Sequence, residues 1–173
     1  MDIGDEDQNL NTPAAIHINI YLPLYDAGAR VMSSSWGAST NDYSLDSFNS
    51  DTFMKSYPES IILYAAGNDG DEGSGSVVSP STGKNVVSVG AGLNDYKSWK
   101  SITGTSNKSK YNLNNIASFS SKGPTSDGRI KPDIMGQGYY IKSSSADNTA
   151  SAGHTSNVVF AGTSMVFENY HIE

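Results

Sequence analysis

The stretch SIILYAAGND, residues 60–69, decides how this chain of 173 residues folds. Its apolar residues form a short continuous run that ends in small residues. Such runs are typical of parallel β-strands that are buried on both faces. A second run of the same kind, NVVSVGA, spans residues 85–91 after a loop rich in Gly, Ser and Asp. Together the two runs predict a parallel α/β sheet.

The residues before this stretch extend the pattern. ARVMSSS, residues 29–35, predicts another strand, and the Ala27-Gly28 pair before it is typical of a helix end. Between this strand and the central run, apolar residues have helical spacing and Pro58 follows as a stop. These apolar residues are Leu45, Phe48, Phe53, Met54 and Tyr57. The order strand, helix, strand, loop, strand is that of a parallel sheet with crossover connections.

The beginning of the chain allows two interpretations. Ile16, Ile18 and Ile20 alternate with polar residues as they would in a strand. Residues 24–28 are instead typical of the end of a helix.

Composition and charge limit the possible classes of function. The net charge is −7 and the pI is near 4.8, so neither nucleic acid nor an anionic membrane surface is an expected partner. No apolar run approaches the roughly 20 residues that span a bilayer, and the start MDIGDED is unlike a basic signal-peptide start. Because the sequence has no cysteine, disulfides and thiolate metal sites are excluded. With 36% hydrophobic residues, the chain is expected to form one domain or part of a larger one.

Polar residues follow the predicted strands at one edge of the sheet. Active sites of parallel α/β sheets lie at the carboxyl ends of the strands. This rule places SWG (35–37), AAGND (65–69) and the loop after Ala91 near one another. The polar stretch 93–115 is expected to be a surface excursion.

Four segments in one order carry a resemblance to a known family. GARVMSSSWG, YAAGNDG, ASFSSKGPTSDGRIKPDI and GTSM together resemble the second part of the catalytic domain of subtilisin-like serine peptidases, the subtilases of peptidase family S8. The resemblance is closest to the alkaline, oxidation-resistant branch. It covers residues 27–165 of a single partial domain spanning 1–173, with 166–173 as a divergent tail. It implies a three-layer α/β fold around a parallel sheet, here incomplete, without the family's amino-terminal strands and carboxyl-terminal helices.

The resemblance implies catalytic roles for two residues. Ser164 of the GTSM segment matches the nucleophile at the start of a buried helix, and Gly162 allows close approach of backbone and substrate. Asn68 matches the asparagine whose side-chain amide stabilises the oxyanion of the tetrahedral intermediate. Both segments also have a structural interpretation, as a plain Gly-Thr-Ser turn and as a turn-forming Asn.

The resemblance also implies a substrate-binding site made of two segments. One wall of the pocket for the substrate side chain consists of small residues, Ala65, Ala66 and Gly67. The edge along which substrate backbone adds as an extra strand consists of Ser35, Trp36 and Gly37. Close strand packing explains the small residues equally well, and Trp36 is either a core anchor or a wall of the site.

The stretch 117–138 is the most family-specific part of the chain, although it supplies no catalytic group in the family. Its Ser, Gly, Pro and Asp residues predict a hairpin and a fixed loop below the nucleophile helix. Where the family has Ala-Pro-Gly after this stretch, the chain has Gly136-Gln137-Gly138. Because the proline is missing, this loop is expected to be less rigid.

The Asp and His motifs of the family's catalytic triad, which precede the region matching residue 27, do not occur in this sequence. His17 lacks the Gly-Thr that follows the family's histidine, His154 lies in a polar loop and His171 lies in the tail. Each is therefore expected to be solvent-exposed and noncatalytic. Without a base a serine hydroxyl is a poor nucleophile, so the chain alone is predicted to be nearly inactive.

The missing Asp and His would come from an upstream segment or from another chain. After GTSM the sequence VFENYHIE departs from the family's long apolar helix. Because a helix of about nine residues is marginal without packing, weak or absent independent folding is predicted.

The sequence supports one leading function and an alternative. The leading function is peptide-bond hydrolysis by acyl transfer, with a peptide or protein as substrate. The alternative is a noncatalytic pseudoenzyme that binds extended peptides. A more remote one is a structural or inhibitory module that pairs with a full-length relative. A secreted or vesicular location would follow from the family, although this chain has no signal peptide.

No cofactor or metal site is predicted, although calcium is common in the family. Two acidic clusters are interpreted as solvated surface charge. They are Asp2, Asp5, Glu6 and Asp7, and Asp69, Asp71 and Glu72.

Overall fold

Four parallel strands form one sheet in the order β1 (Val31–Ser34), β2 (Ile61–Ala65), β3 (Val87–Leu93) and β4 (Ile134–Tyr139). The computed structural model describes residues 12–104, 115–144 and 157–169. A π-helical turn, His17–Tyr21, continues into α1 (Leu22–Asp26), and the longer helices are α2 (Leu45–Ser56) and α3 (Tyr96–Thr103). Short 3₁₀ helices span Gly70–Glu72 and Thr163–Asn169. The strands β5 (Ile141–Ser144) and β6 (Asn157–Phe160) form an antiparallel pair.

The three strands predicted from apolar runs are confirmed, and they pair in parallel as expected. Val31 pairs with Ile61, and Leu63 pairs with Val87. The sequence does not predict β4, since the stretch 117–138 predicts a hairpin and a fixed loop. It pairs in parallel with β3, and a register shift at Gly92/Leu93 accommodates the pairing of Leu93 with Tyr139.

The sheet has one apolar cluster on each face, because successive side chains of β2 point to opposite faces. Ile62 and Tyr64 pack with residues of the first helix, of α2 and of β1. Leu63, which points to the opposite face because successive strand residues alternate, packs against a cluster that contains Val89 and Val166. The described residues therefore form a three-layer α/β arrangement, with the helices His17–Asp26 and α2 on one face and the last 3₁₀ helix on the other.

The strand interpretation of the chain start is wrong, and the helical one is confirmed. Ile16 and Ile20 are buried and Ile18 is exposed, because residues four apart share one helix face. The helix ends at Asp26, and the turn after it contains Gly28, whose φ of 100° suits glycine.

The predicted helix of residues 45–57 is confirmed as α2, but its apolar stripe is only partly buried. The Ser44 hydroxyl caps the helix by accepting from the N–H groups of Asp46 and Ser47. Phe53 is buried, whereas Leu45 and Phe48 are 63% and 54% exposed. The buried face of the first turns is polar instead, with Ser47, Asn49, Ser50 and Asp51. Their hydrogen bonds make this burial possible.

The stretch 117–138 contains the predicted hairpin-like turn. Backbone hydrogen bonds join Gly123 to Lys131 and Thr125 to Arg129. The expectation that Gly136-Gln137-Gly138 forms a less rigid loop is wrong, since these residues belong to β4. The Gly138 carbonyl accepts a hydrogen bond from the Gly162 N–H (2.8 Å). The segment without the proline therefore supports the turn that leads to Ser164.

Candidate active site

The predicted site residues converge on one cavity at the carboxyl ends of β1 and β2. The cavity has a volume of about 200 Å³. All the predicted residues except Ala66 line it, namely Ser35, Trp36, Gly37, Ala65, Gly67, Asn68 and Ser164. The parallel pairing of β1 with β2 explains why segments far apart in sequence meet here.

Ala66 does not line this cavity, and its assignment to the substrate pocket stays a prediction. Its side chain is fully buried. Its N–H donates to the Val89 carbonyl, and its carbonyl accepts from the Val78 N–H. Ala66 therefore ties β2 to its neighbours, as the structural interpretation of these small residues proposed.

The side chain of Asn68 is held through its oxygen. Asn68 Oδ1 accepts hydrogen bonds from the backbone N–H of Thr163 (2.9 Å) and from the Thr163 hydroxyl (3.1 Å). Because a backbone N–H can only donate, the contacting atom must be the carbonyl oxygen of the amide. Among the described residues Nδ2 has no hydrogen-bond partner, so both of its N–H groups are available to a ligand in the cavity.

Ser164 lies in the first turn of the 3₁₀ helix Thr163–Asn169 rather than at the start of an α-helix. Val166 is fully buried against β3, which fixes the turn to the sheet. The Ser35 hydroxyl donates a long hydrogen bond to the Ser164 carbonyl (3.5 Å), which joins the segment 35–37 to the turn that carries Ser164. Within the described part of the chain, the Ser164 hydroxyl has no hydrogen-bond partner.

Val78 lies between the two segments of the cavity that contain Gly37 and Gly67. A Cβ added to Gly37 or to Gly67 would come within 3.0 Å of the Val78 side chain. At Gly37 it would also meet the Ser79 carbonyl at 2.7 Å. Glycine is therefore required at both positions, and the Val78 side chain fills the space between them.

Trp36 is both a core anchor and a wall of the cavity. Its ring meets the buried Tyr64 ring edge-on, with 5.6 Å between centroids. The Tyr64 hydroxyl contacts those of Tyr21 and Ser50. Burial raises the pKa of Tyr64 well above its ordinary value, and the proximity of Tyr21 adds to this effect. Tyr64 thus stays a neutral hydrogen-bonding group beneath Trp36.

None of the cavity-lining residues, all of them described, is a histidine. His17 lies in the first helix, and it is only partly exposed, contrary to expectation. Its Nδ1 is buried and has no hydrogen-bond partner among the described residues. His154 and His171 lie outside the described residues.

No metal cluster was found in the part of the chain that the structure describes. This part includes Asp69, Asp71 and Glu72, whereas the acidic residues of the chain start lie outside it. Across the same residues, helices with the length and apolar character of a transmembrane span are absent.

Three residues of the site were missed by sequence reasoning. Thr163 orients Asn68, Val78 fills the floor between the glycines, and Ser121 contacts the loop that carries Asn68. Thr163 is part of the GTSM segment, and Ser121 belongs to the family-specific stretch 117–138. Val78 lies in no quoted segment, and only the folded chain brings it to the site.

A serine and an asparagine side chain thus share a cavity at the carboxyl edge of a parallel sheet, and serine hydrolases use groups of these two kinds as nucleophile and oxyanion donor. Comparison with known proteins identifies the family. The sequence model of the subtilase family, peptidase S8, matches residues 3–166. The chain belongs to the subtilase family and is related to its serine proteases.

Curated relatives and solved structures agree with this membership. The chain is 32% identical over 216 residues to the serine protease/ABC transporter B family protein tagD of Dictyostelium discoideum, covering 87% of this chain and 12% of the relative. It is 33% identical over 124 residues to the serine protease AprX of Bacillus subtilis (strain 168), covering 69% of this chain and 25% of AprX. The chain thus spans about an eighth to a quarter of these relatives.

The fold is similar to that of solved peptidases. The structure of a protein titled S41 psychrophilic protease superposes with a TM-score of 0.62 at 24% identity, covering 95% of this chain and 48% of that one. The prenylagaramide maturation protease PagA superposes with a TM-score of 0.60 at 17% identity, covering 94% and 47%. The predicted subtilisin-like α/β fold is confirmed. The assignment to the alkaline branch stays a prediction.

Proposed function

We propose that this chain is the nucleophile-bearing part of a subtilase endopeptidase, which hydrolyses peptide bonds by acyl transfer. Ser164 is the nucleophile and Asn68 the oxyanion donor. The observation that carries the proposal is the orientation of Asn68 in the cavity shared with Ser164. Its oxygen is occupied by Thr163, which leaves Nδ2 for the substrate.

In this reaction Ser164 Oγ attacks the substrate carbonyl carbon and a base takes the hydroxyl proton. Asn68 Nδ2 donates to the oxygen on which negative charge develops. The leaving amine departs with a proton, and water then releases the acyl group from Ser164. The substrate side chain enters the cavity that Gly37, Gly67 and Val78 line, and its backbone lies along Ser35–Gly37.

The base and its orienting carboxylate come from an upstream segment or another chain. The open edge of β1 supports this step, because β1 pairs within the described residues only with β2. A groove of about 350 Å³ lies beside β1 and is lined by Leu24, Val31 and Trp36. Val31 is 54% exposed there. An added strand would cover this edge and end near Ser164.

A second candidate function is that of a noncatalytic subtilase relative that binds extended peptides. The observation that favours it is the Ser164 hydroxyl, which has no partner among the described residues, beside an intact cavity. Family membership also supports a secreted or vesicular location, which we include in the proposal.

Covalent labelling with a fluorophosphonate tests the proposed function. The whole natural polypeptide and residues 1–173 alone are treated with the probe, and the modified serine is identified by mass spectrometry. We expect labelling of Ser164 in the whole polypeptide, loss of labelling in Ser164→Ala and little labelling of the isolated chain. Ser56→Ala, which removes an exposed serine at the end of α2, is the control and leaves labelling unchanged.

Two outcomes would contradict the proposal. Equal labelling of the wild type and Ser164→Ala would show that another group reacts. Binding of an extended peptide without labelling in either form would favour the noncatalytic function.

A further inference from the structure

Ser121 holds the peptide groups on both sides of Asn68. The Ser121 N–H donates to the Gly67 carbonyl (3.0 Å), directly before Asn68. The Ser121 hydroxyl accepts from the N–H of Asp69 (3.0 Å), directly after Asn68. One residue of the family-specific stretch, through its backbone N–H and its hydroxyl, therefore fixes the backbone that carries the proposed oxyanion donor.

The same hydroxyl fills the space beside Gly67. Gly67 has a φ of 111°, and a Cβ there would lie 2.7 Å from Ser121 Oγ. Ser121 is only 1% exposed, so water does not replace its hydroxyl in the folded chain. The backbone therefore passes Ser121 in a single conformation, which at position 67 only glycine can adopt.

We propose that Ser121 is a positioning residue for the oxyanion donor Asn68. This inference rests on the proposed function, because it gives Ser121 a role only if Asn68 Nδ2 stabilises an oxyanion. A donor must be placed within a few tenths of an ångström to stabilise charge in the transition state. Thr163 orients the amide group of Asn68, and Ser121 fixes the backbone from which that amide projects.

The neighbouring Ser120 supplies a matched control. It is fully buried, and its hydroxyl accepts from the Ala91 N–H (2.9 Å). Ser120→Ala and Ser121→Ala therefore each remove a buried hydroxyl that accepts from one backbone N–H. Only the Ser121 hydroxyl touches the loop of Asn68.

Other contacts keep the loop folded when the Ser121 hydroxyl is removed. The Gly70 N–H donates to the Phe119 carbonyl (2.8 Å), and Lys122 Nζ donates to the Gly70 carbonyl (2.8 Å). The Ser121 N–H is a backbone group and stays in place. Ser121→Ala is therefore expected to loosen the placement of Asn68 without unfolding the domain.

A double-mutant cycle on the whole polypeptide tests the proposal. The measurement is the rate of Ser164 modification by diisopropyl fluorophosphate, in which an O–P bond forms, fluoride leaves and the hydroxyl proton passes to the base. Ser121→Ala and Ser120→Ala are each made in the wild type and in the Asn68→Asp background, which lacks the amide donor.

We expect Ser121→Ala to slow modification about tenfold or more, a part of the 10²–10³-fold that loss of such a donor costs in subtilisin. In the Asn68→Asp background the same change should alter the rate less than about twofold. Ser120→Ala should have little effect in either background. An equal slowing by Ser121→Ala in both backgrounds, or none in the wild type, would overturn the proposal.

If the wild type is not modified at all, the proposed function has failed and the placement of Asn68 is read directly. The side-chain amide signals of Asn68 in a ¹H–¹⁵N spectrum are assigned by their loss in Asn68→Asp. A change of these signals in Ser121→Ala, and not in Ser120→Ala, supports positioning by Ser121. Unchanged signals in Ser121→Ala contradict it.

Discussion

The two sides of the candidate site differ in how completely their polar groups are satisfied. On the oxyanion side, residues 65–70, Asn68 Oδ1, the Gly67 carbonyl and the Asp69 N–H all have hydrogen-bond partners. On the nucleophile side, the backbone of Gly162 is anchored to Gly138, but within the described residues the Ser164 hydroxyl has no partner. One side is fixed in place, whereas the proposed nucleophile on the other side lacks an activating group among the described residues.

The two sides of the site correspond to two contributions to catalysis, stabilisation of an oxyanion and activation of a serine. Stabilisation of an oxyanion needs only fixed dipoles, and the proposed dipole, the Asn68 amide, is held by Thr163 while Ser121 holds its backbone. Activation of a serine needs a base within hydrogen-bonding reach, which must come from elsewhere in the proposed enzyme. An oxyanion hole retains part of its catalytic power when a triad member is removed. The two sides of the site should therefore be separable by mutation.

The largest effect is expected from removal of the oxyanion donor while its anchoring is kept. Asn68→Asp retains an oxygen that accepts from both groups of Thr163, but it cannot donate to the substrate and adds a repelling charge. The rate of Ser164 modification in the whole polypeptide should fall by about 10²–10³-fold, the loss found in subtilisin. The fluorophosphonate assay measures this rate.

The urea unfolding midpoint of Asn68→Asp serves as the control, and it should stay near that of the wild type. A lower midpoint with an unchanged modification rate would mean that Asn68 anchors the loop and does not act on the substrate.

A smaller effect on the modification of Ser164 is expected when Gly138, which supports the turn before Ser164, is replaced. A Cβ at Gly138 would lie 2.7 Å from both Ala91 Cβ and the Gly162 carbonyl oxygen. Gly138→Ala should therefore lower the free energy of unfolding by about 1–3 kcal/mol, as overpacking does, and slow the modification of Ser164. Urea unfolding followed by tryptophan fluorescence measures the first effect.

Gly92→Ala is the matched control for this change. It lies in the adjacent strand β3, where the nearest atom to an added Cβ is at 3.4 Å, an ordinary contact. A similar loss of stability in both variants would show that the sheet is intolerant of alanine in general, and that Gly138 has no special role.

The strands that could be predicted are those whose residues are apolar on both faces. β2 and β3 consist of continuous apolar and small residues, because helices or loops cover each face of the sheet. β4 could not be predicted, since Gly136-Gln137-Gly138 lacks β-branched residues and forms a strand through its pairing with β3. The face of α2 was also missed, because the hydrogen bonds that bury its serines come from distant residues such as Thr82.

Those candidate site residues could be predicted that belong to a short sequence motif. Asn68 and Ser164 lie in segments with a recognisable order, and the parallel sheet brings them together. Ser121 and Val78 could not be assigned, because their roles depend on contacts with glycines that the sequence does not pair with them. Ala66 could not be told from Ala65 and Gly67 for the same reason, since only the structure shows which of these small residues line the cavity.

The smallest effect on the site is expected from changes to the turn of residues 123–131, which follows Ser121. The hydrogen bonds of Arg129 and then of Thr125 to the Asp127 carboxylate lower the pKa of Asp127 from its ordinary value to about 2. Because the folded-state pKa is depressed, the stabilisation by this carboxylate is fully present above the unfolded pKa near 3.8 and is lost as the pH falls towards 2. Between pH 7 and pH 4 the turn should therefore be unchanged.

A ¹³C titration of the Asp127 carboxyl group measures this pKa, and Arg129→Lys tests its cause. Lysine keeps the positive charge but loses the planar group that contacts both carboxylate oxygens, so the pKa of Asp127 should rise towards its ordinary value. If the Asp69 N–H signal, which reports the contact with Ser121, also moves in this variant, the turn helps to place the oxyanion side. If it does not move, the contacts of Ser121 are enough, and the oxyanion side is independent of the surface charge of the turn.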